Sequence, residues 1–231
     1  MLLFSRFPFK SVWSLMAIAG SVAILIGMST YFDSVRTATF LLEKGPLRNQ
    51  PIWRTAFYFH VVSASVCLAT GPMLMIMRLI RLRRFHAAVG YVYLNTVLWI
   101  AAPTGLIISP ESKGGSIAAA GFLVTGLLWW YTTWMGYRTI RAKRRGAHVT
   151  WMIRSYSIAL SAVWFRAIQL LLAAGIPSID NTAIYIASVW LSLLASLLIS
   201  ETSILSIFGK PQASMTLLRH VSASSPAGQL P

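Results

Sequence analysis

The stretch HVTWMIRSYSIALSAVWFR, residues 148–166, follows the densest basic cluster of the chain and runs into apolar sequence that still contains Arg154 and Arg166. A helix turns about 100° per residue, so roughly eighteen residues return it to the same face, about 27 Å further along its axis. His148 and Arg166 therefore share one face, with Met152, Ser155, Ala159 and Ala162 between them. An arginine inside an apolar span is costly unless it is paired or something is bound beside it. The stretch reads as a membrane helix with a polar role, and the rest of the chain as its frame.

The frame is apolar throughout. Of 231 residues, 56% are hydrophobic and 11% charged, a composition for a polytopic membrane protein rather than a soluble domain. Six segments approach the ~20 residues that cross a bilayer: residues 12–29, 52–77, 87–108, 116–137, 149–174 and 182–208. The first has a basic start and an apolar centre, as a signal peptide does, but no small-x-small cleavage site follows, so it reads as an uncleaved anchor. Residues 1–210 make one six-helix domain with its core at 52–174, and 211–231 form a polar tail with the composition of a disordered segment. The expected fold is all-α, with spans two to five as a four-helix core and spans one and six outside it.

The formal charge of +15 does not indicate nucleic acid, because the basic residues lie in short runs between apolar segments. Thirteen lysines and arginines fall on one side of the expected topology, with no loop acid. Five fall on the other, beside Asp33, Glu43, Glu111 and Asp180. The positive-inside rule then puts both termini in the cytoplasm. The only cysteine, Cys67, lies within a span, which excludes a disulfide framework and a thiolate metal site.

Two basic runs resemble each other. Arg78-Leu-Ile-Arg81-Leu-Arg83-Arg84 precedes His86, and Arg138-Thr-Ile-Arg141-Ala-Lys143-Arg144 precedes His148. Each closes one span and opens the next, as a repeated hairpin would, although any cytoplasmic hairpin loop tends to be basic. If spans three and five are diagonal in the core, His86 and His148 are placed to bind one haem iron from both sides, with Gly90 leaving space for the macrocycle and nearby arginines for its propionates. The plainer alternative is two interfacial histidines at helix starts. His60 lies roughly 12 Å into the second span and Arg166 at a similar depth in the fifth, which suggests an outer polar site for a quinone headgroup or a carboxylate. Glu201 is the one acid within a span. Arg154 lies at a comparable depth, so a buried Arg154–Glu201 ion pair is expected, either fixing helix packing or relaying protons. Trp129, Trp130, Tyr131, Trp134 and Tyr137 read as an aromatic belt. No phosphate loop, HExxH, GxSxG or CxxC occurs, so hydrolase chemistry and nucleotide-driven transport have no support.

Several of these residues form a recognisable set: His60, Gly71-Pro72 and Arg78; His86-Ala-Ala-Val-Gly90-Tyr-Val-Tyr93; Trp130 and Thr132-Thr133; His148-Val-Thr-Trp151-Met152-Ile-Arg154-Ser155-Tyr156 and Arg166. On them the chain resembles the bacterial family of predicted membrane proteins built on domain of unknown function 2306. Ala87 stands where that family commonly has arginine. The resemblance implies a fold and a membrane location, but no activity. A looser similarity is to the dihaem transmembrane cytochromes b. Only His86 and His148 match such a ligand pair, because the fourth span has no histidine to partner His60.

The expected protein is thus a multi-pass protein of the bacterial inner membrane. Its expected function is electron transfer linked to haem b or quinone, with a quinone or another redox membrane protein as partner. The competing expectations are a non-enzymatic assembly factor or small-solute transporter, and an anionic-lipid-binding protein.

Overall fold

The computed structural model describes residues 44–79 and 81–209, with residue 22 alone before them. Apart from residue 22, the first expected span lies outside these residues, as does the polar tail. The described chain has no strand. After a 3-10 turn at Gly45–Asn49 come α1 (Pro51–Leu79), α2 (Arg83–Thr96), a π-helical turn (Val97–Ala101), α3 (Ala102–Ile108) and a 3-10 turn (Ser109–Glu111). Then follow α4 (Gly115–Arg141), α5 (Arg145–Ala159), α6 (Ser161–Gly175) and α7 (Asn181–Phe208). Because α2–α3 and α5–α6 are each one continuous rod, these elements make five helices long and apolar enough to cross a membrane, Pro51–Arg78, Arg83–Glu111, Gly115–Arg141, Arg145–Gly175 and Asn181–Phe208. They correspond to expected spans two to six.

The first four rods form a ring. α1 packs on α2, α2 on α4, α4 on α5 and α5 back on α1, while the backbones of α2 and α5 stay apart, as do those of α1 and α4. The third and fifth expected spans are therefore diagonal. α7 lies outside the ring against α4, α5 and α6. Lipid tails are as apolar as leucine, so helices in a membrane associate through close packing rather than through hydrophobicity. The outer helix meets this demand with Ser188, Ser192, Ser196 and Ser200, all buried and one turn apart. Opposite them, a Cβ on Gly121 would come within 2.6 Å of Val189.

The two hairpins of the ring repeat each other with an offset of 62 residues, the separation of Tyr93 and Ser155. At the end of α1 the Arg81 amide bonds the Arg78 carbonyl and the Leu82 amide the Met77 carbonyl, with Arg81 at φ 61°. At the end of α4 the Lys143 amide bonds Ile140 and the Arg144 amide bonds Thr139, with Lys143 at φ 59°. Both are Schellman endings, in which a left-handed residue lets two amides turn back on the last helical carbonyls. Glycine is the usual residue there, and a side chain in this conformation costs about 1–2 kcal/mol. The matching letters align Arg78 with Arg138, but the structure aligns Arg81 with Lys143, two residues further on. Sequence similarity followed charge, whereas the true register follows the turn geometry. Each hairpin's second rod is also interrupted at an equivalent place, the π turn around Leu98 and the single turn residue Leu160. Since each hairpin crosses the bundle twice, the two repeats point the same way, as repeats related by an axis along the membrane normal do.

Two prolines shape the ring, and each leaves a carbonyl to be satisfied. Pro72, inside α1, cannot bond the Leu68 carbonyl four residues back. The Tyr156 hydroxyl donates to that oxygen instead, at 3.2 Å. Gly71 makes the approach possible, because a Cβ there would lie 1.9 Å from the Tyr156 ring. In the π turn the Ala102 amide bonds Val97, so the Leu98 carbonyl would fall to the amide of Pro103, which has none. The Trp130 indole donates to it at 3.2 Å. Backbone freed in a membrane must find such partners.

Candidate functional site

Three histidines lie within the ring, and each has its Nδ1 against a backbone carbonyl of another rod: His60 on Ala101 at 2.8 Å, His86 on Leu74 at 3.0 Å and His148 on Gly136 at 2.8 Å. A carbonyl only accepts, so Nδ1 carries the proton in each case. The neutral imidazole then keeps its lone pair on Nε2, the arrangement that orients histidine as a metal ligand. His86 and His148 each reach a carbonyl twelve residues back across their own hairpin. They are the same residue of the two repeats, held in the same way, on the two diagonal rods.

His86 and His148 both stand in the first turn of rods that start at the basic end of the bundle. Each imidazole is half-buried at the basic end of the bundle. Gly90, one turn beyond His86, faces room: a Cβ there would meet only Leu74, at 3.8 Å. In the other hairpin Met152 takes the equivalent position, with its sulfur filling the space over Gly136 at 2.6 Å from where a Cβ would stand. Among the described residues no group of three or more histidine, cysteine, aspartate or glutamate side chains converges.

Below the pair, at mid-depth, lies a fully buried polar chain. The Tyr93 hydroxyl bonds Ser155 Oγ at 2.9 Å and accepts from Trp129 Nε1 at 3.3 Å, and Thr133 Oγ1 bonds the same Ser155 hydroxyl at 2.7 Å. Tyr93 and Ser155 are equivalent in the repeat, so the bond between them marks where the two hairpins meet. Neither its role nor the capping of the proline-freed carbonyls was read from sequence. The readable signals were Pro72 four residues after Leu68, and Pro103 within a span.

The other expected sites change. His60 and Arg166 are not brought together. His60 fills the notch left by Gly105, whose Cβ would lie 2.9 Å from the ring, while α6 packs along α7 and makes no backbone approach to α1. Arg166 is exposed, bonds Gln169 at 3.1 Å and stacks on Phe165. Shared depth could not give shared azimuth, and the ring places their rods on different sides. The Arg154–Glu201 pair does form, with Nε–Oε1 at 2.6 Å and a second bond at 3.0 Å, and Arg154 also lies over the Trp151 ring. It is not buried: the side chains are 27% and 51% exposed, because α5 and α7 present both groups at the edge of their contact.

The family described as predicted membrane protein (DUF2306) matches residues 57–204, from the first helix of the ring into α7. The chain belongs to this family. The match reaches further than the resembling motifs, which end at Arg166, and so includes the outer helix with its serine row and Glu201. No curated protein and no solved structure matches the chain. For this DUF2306 protein, membrane location and a helical multi-pass architecture therefore rest on family and fold together.

Proposed function

We propose that this DUF2306 protein is an electron-transfer protein of the bacterial cytoplasmic membrane that holds one b-type haem between His86 and His148. The observation that carries the reading is the equivalence of these two histidines: same repeat position, diagonal rods, Nδ1–H fixed on a carbonyl, Nε2 left for a metal. Gly90 supplies room beside His86. A haem bound there supplies a one-electron centre, and no general base is needed in a chain with so few carboxylates. The basic end is the cytoplasmic end by the positive-inside rule. The electron partner is a membrane quinone or a second redox protein. His60 and Arg166 have no part in the site.

The second reading is a non-enzymatic membrane component in which the histidines only clasp rods together. His60 favours it, since it makes the same kind of carbonyl bond without a partner histidine. A reduced-minus-oxidised spectrum of protein purified from haem-replete cells separates the two. The haem reading expects a Soret shift and a sharp α band, and no haem absorption overturns it.

A further inference from the structure

At the basic end, beside the first hairpin loop, the structure contains a cavity of about 470 Å³ lined by Met77, Arg78, Arg81, Arg83 and His86. Three guanidinium groups line it, and among the described residues none of them is paired with an acid. Next to these lining residues in the chain, or one helical turn before them, the apolar Leu82, Phe85 and Met73 are 41%, 62% and 44% accessible. A group of cations at a membrane edge, beside apolar side chains that face the bilayer, matches an amphiphile with a multiply charged anionic head.

Arg81 occupies the left-handed position of its Schellman ending, as Lys143 does in the second loop, so glycine at 81 would relax the turn rather than strain it.

We infer that this cavity binds the phosphate head of an anionic phospholipid, with the acyl chains lying along the exposed apolar face of the α1–α2 loop. The inference does not depend on a bound haem. His86 is the residue the two sites share, so the test leaves it unchanged.

Phosphatidic acid is titrated into the full chain held in phosphatidylcholine nanodiscs, with retained lipid read by native mass spectrometry. Arg81→Gly with Arg83→Gln should weaken retention about 30-fold, the equivalent of ~2 kcal/mol at about 1 kcal/mol per basic residue. Because glycine relaxes the turn, the loss cannot be ascribed to a damaged fold. Arg83→Gln alone should give roughly the square root of the effect. The matched pair in the other loop, Lys143→Gly with Arg145→Gln, should leave retention within about twofold, whereas generic surface attraction would fall equally from either loop. Equal losses from both loops, or no loss from the first, would overturn the inference. Full displacement by millimolar inorganic phosphate would mean that the cavity takes free phosphate and not a lipid head. An unchanged Soret band in the Arg81→Gly, Arg83→Gln variant would keep this site separate from the haem reading, and lipid retention in a haem-free preparation would stand without it.

Discussion

Replacing Tyr156 by phenylalanine removes one oxygen and leaves the ring over Gly71 in place. That hydroxyl is the donor to the Leu68 carbonyl, which Pro72 has deprived of its helical partner. Hydrogen bonds between membrane helices average about 0.6 kcal/mol and reach about 1.7. Leaving a carbonyl unpaired in a low-dielectric environment costs about 1–3 kcal/mol. Tyr156→Phe should therefore destabilise by about 1–2 kcal/mol. The cause can be isolated, because Pro72→Ala restores an amide that reaches Leu68. In that background the carbonyl is already satisfied, and Tyr156→Phe should cost only a few tenths of a kcal/mol (about 0.3). The assay is reversible unfolding in mixed micelles of increasing SDS fraction, followed by helical circular dichroism for the wild type, both single variants and the double. A coupling of about 1 kcal/mol is expected. Equal costs of Tyr156→Phe with and without Pro72 would refute the link between the proline and the hydroxyl.

Other consequences follow from the same geometry. Gly105→Ala should push the His60 ring off Ala101, since the new Cβ would lie 2.9 Å from it. His60→Ala should then cost much less in that background than alone, and neither change should alter a haem spectrum. Arg154 and Glu201 lie within spans, where their accessible faces do not meet bulk water, so Glu201→Gln should cost more than the under about 1 kcal/mol of a water-exposed pair and less than the about 3–5 kcal/mol of a fully buried one. Denaturant titration of that variant checks this. Asp180, at the start of α7, accepts from the Thr182 and Ala183 amides, which hold its carboxyl below the ordinary aspartate range. A lowered folded pKa contributes stability that is complete above the unfolded value, about 3.9, and is lost as pH falls through the folded one. Asp180→Asn, which keeps a capping oxygen, should flatten the fall in unfolding midpoint between about pH 5 and pH 2 relative to wild type.

Spans two to six were legible because span length and loop charge are properties of the sequence itself. The diagonal placement of the rods carrying His86 and His148 was legible only as a condition, since helix order depends on contacts between segments far apart in the chain. The repeat was visible but misaligned: arginines matched Arg78 to Arg138, whereas hydrogen bonds match Arg81 to Lys143. The pairing of Arg154 with Glu201 could be read from depth, but its exposure could not, because depth says nothing of which way a face points. The same limit misled the His60–Arg166 reading. The proline-freed carbonyls were within reach of sequence, for Pro72 names Leu68 by simple counting, but their donors Tyr156 and Trp130 come from other rods.

The central claim is that His86 and His148 together hold one haem. Haem content per chain, measured by pyridine haemochrome on the wild type and on His86→Ala, His148→Ala and His60→Ala, tests it most directly. The account predicts one haem in the wild type and in His60→Ala, and loss of it in each of the other two. A wild type without haem, or haem retained in both His86→Ala and His148→Ala, would contradict it.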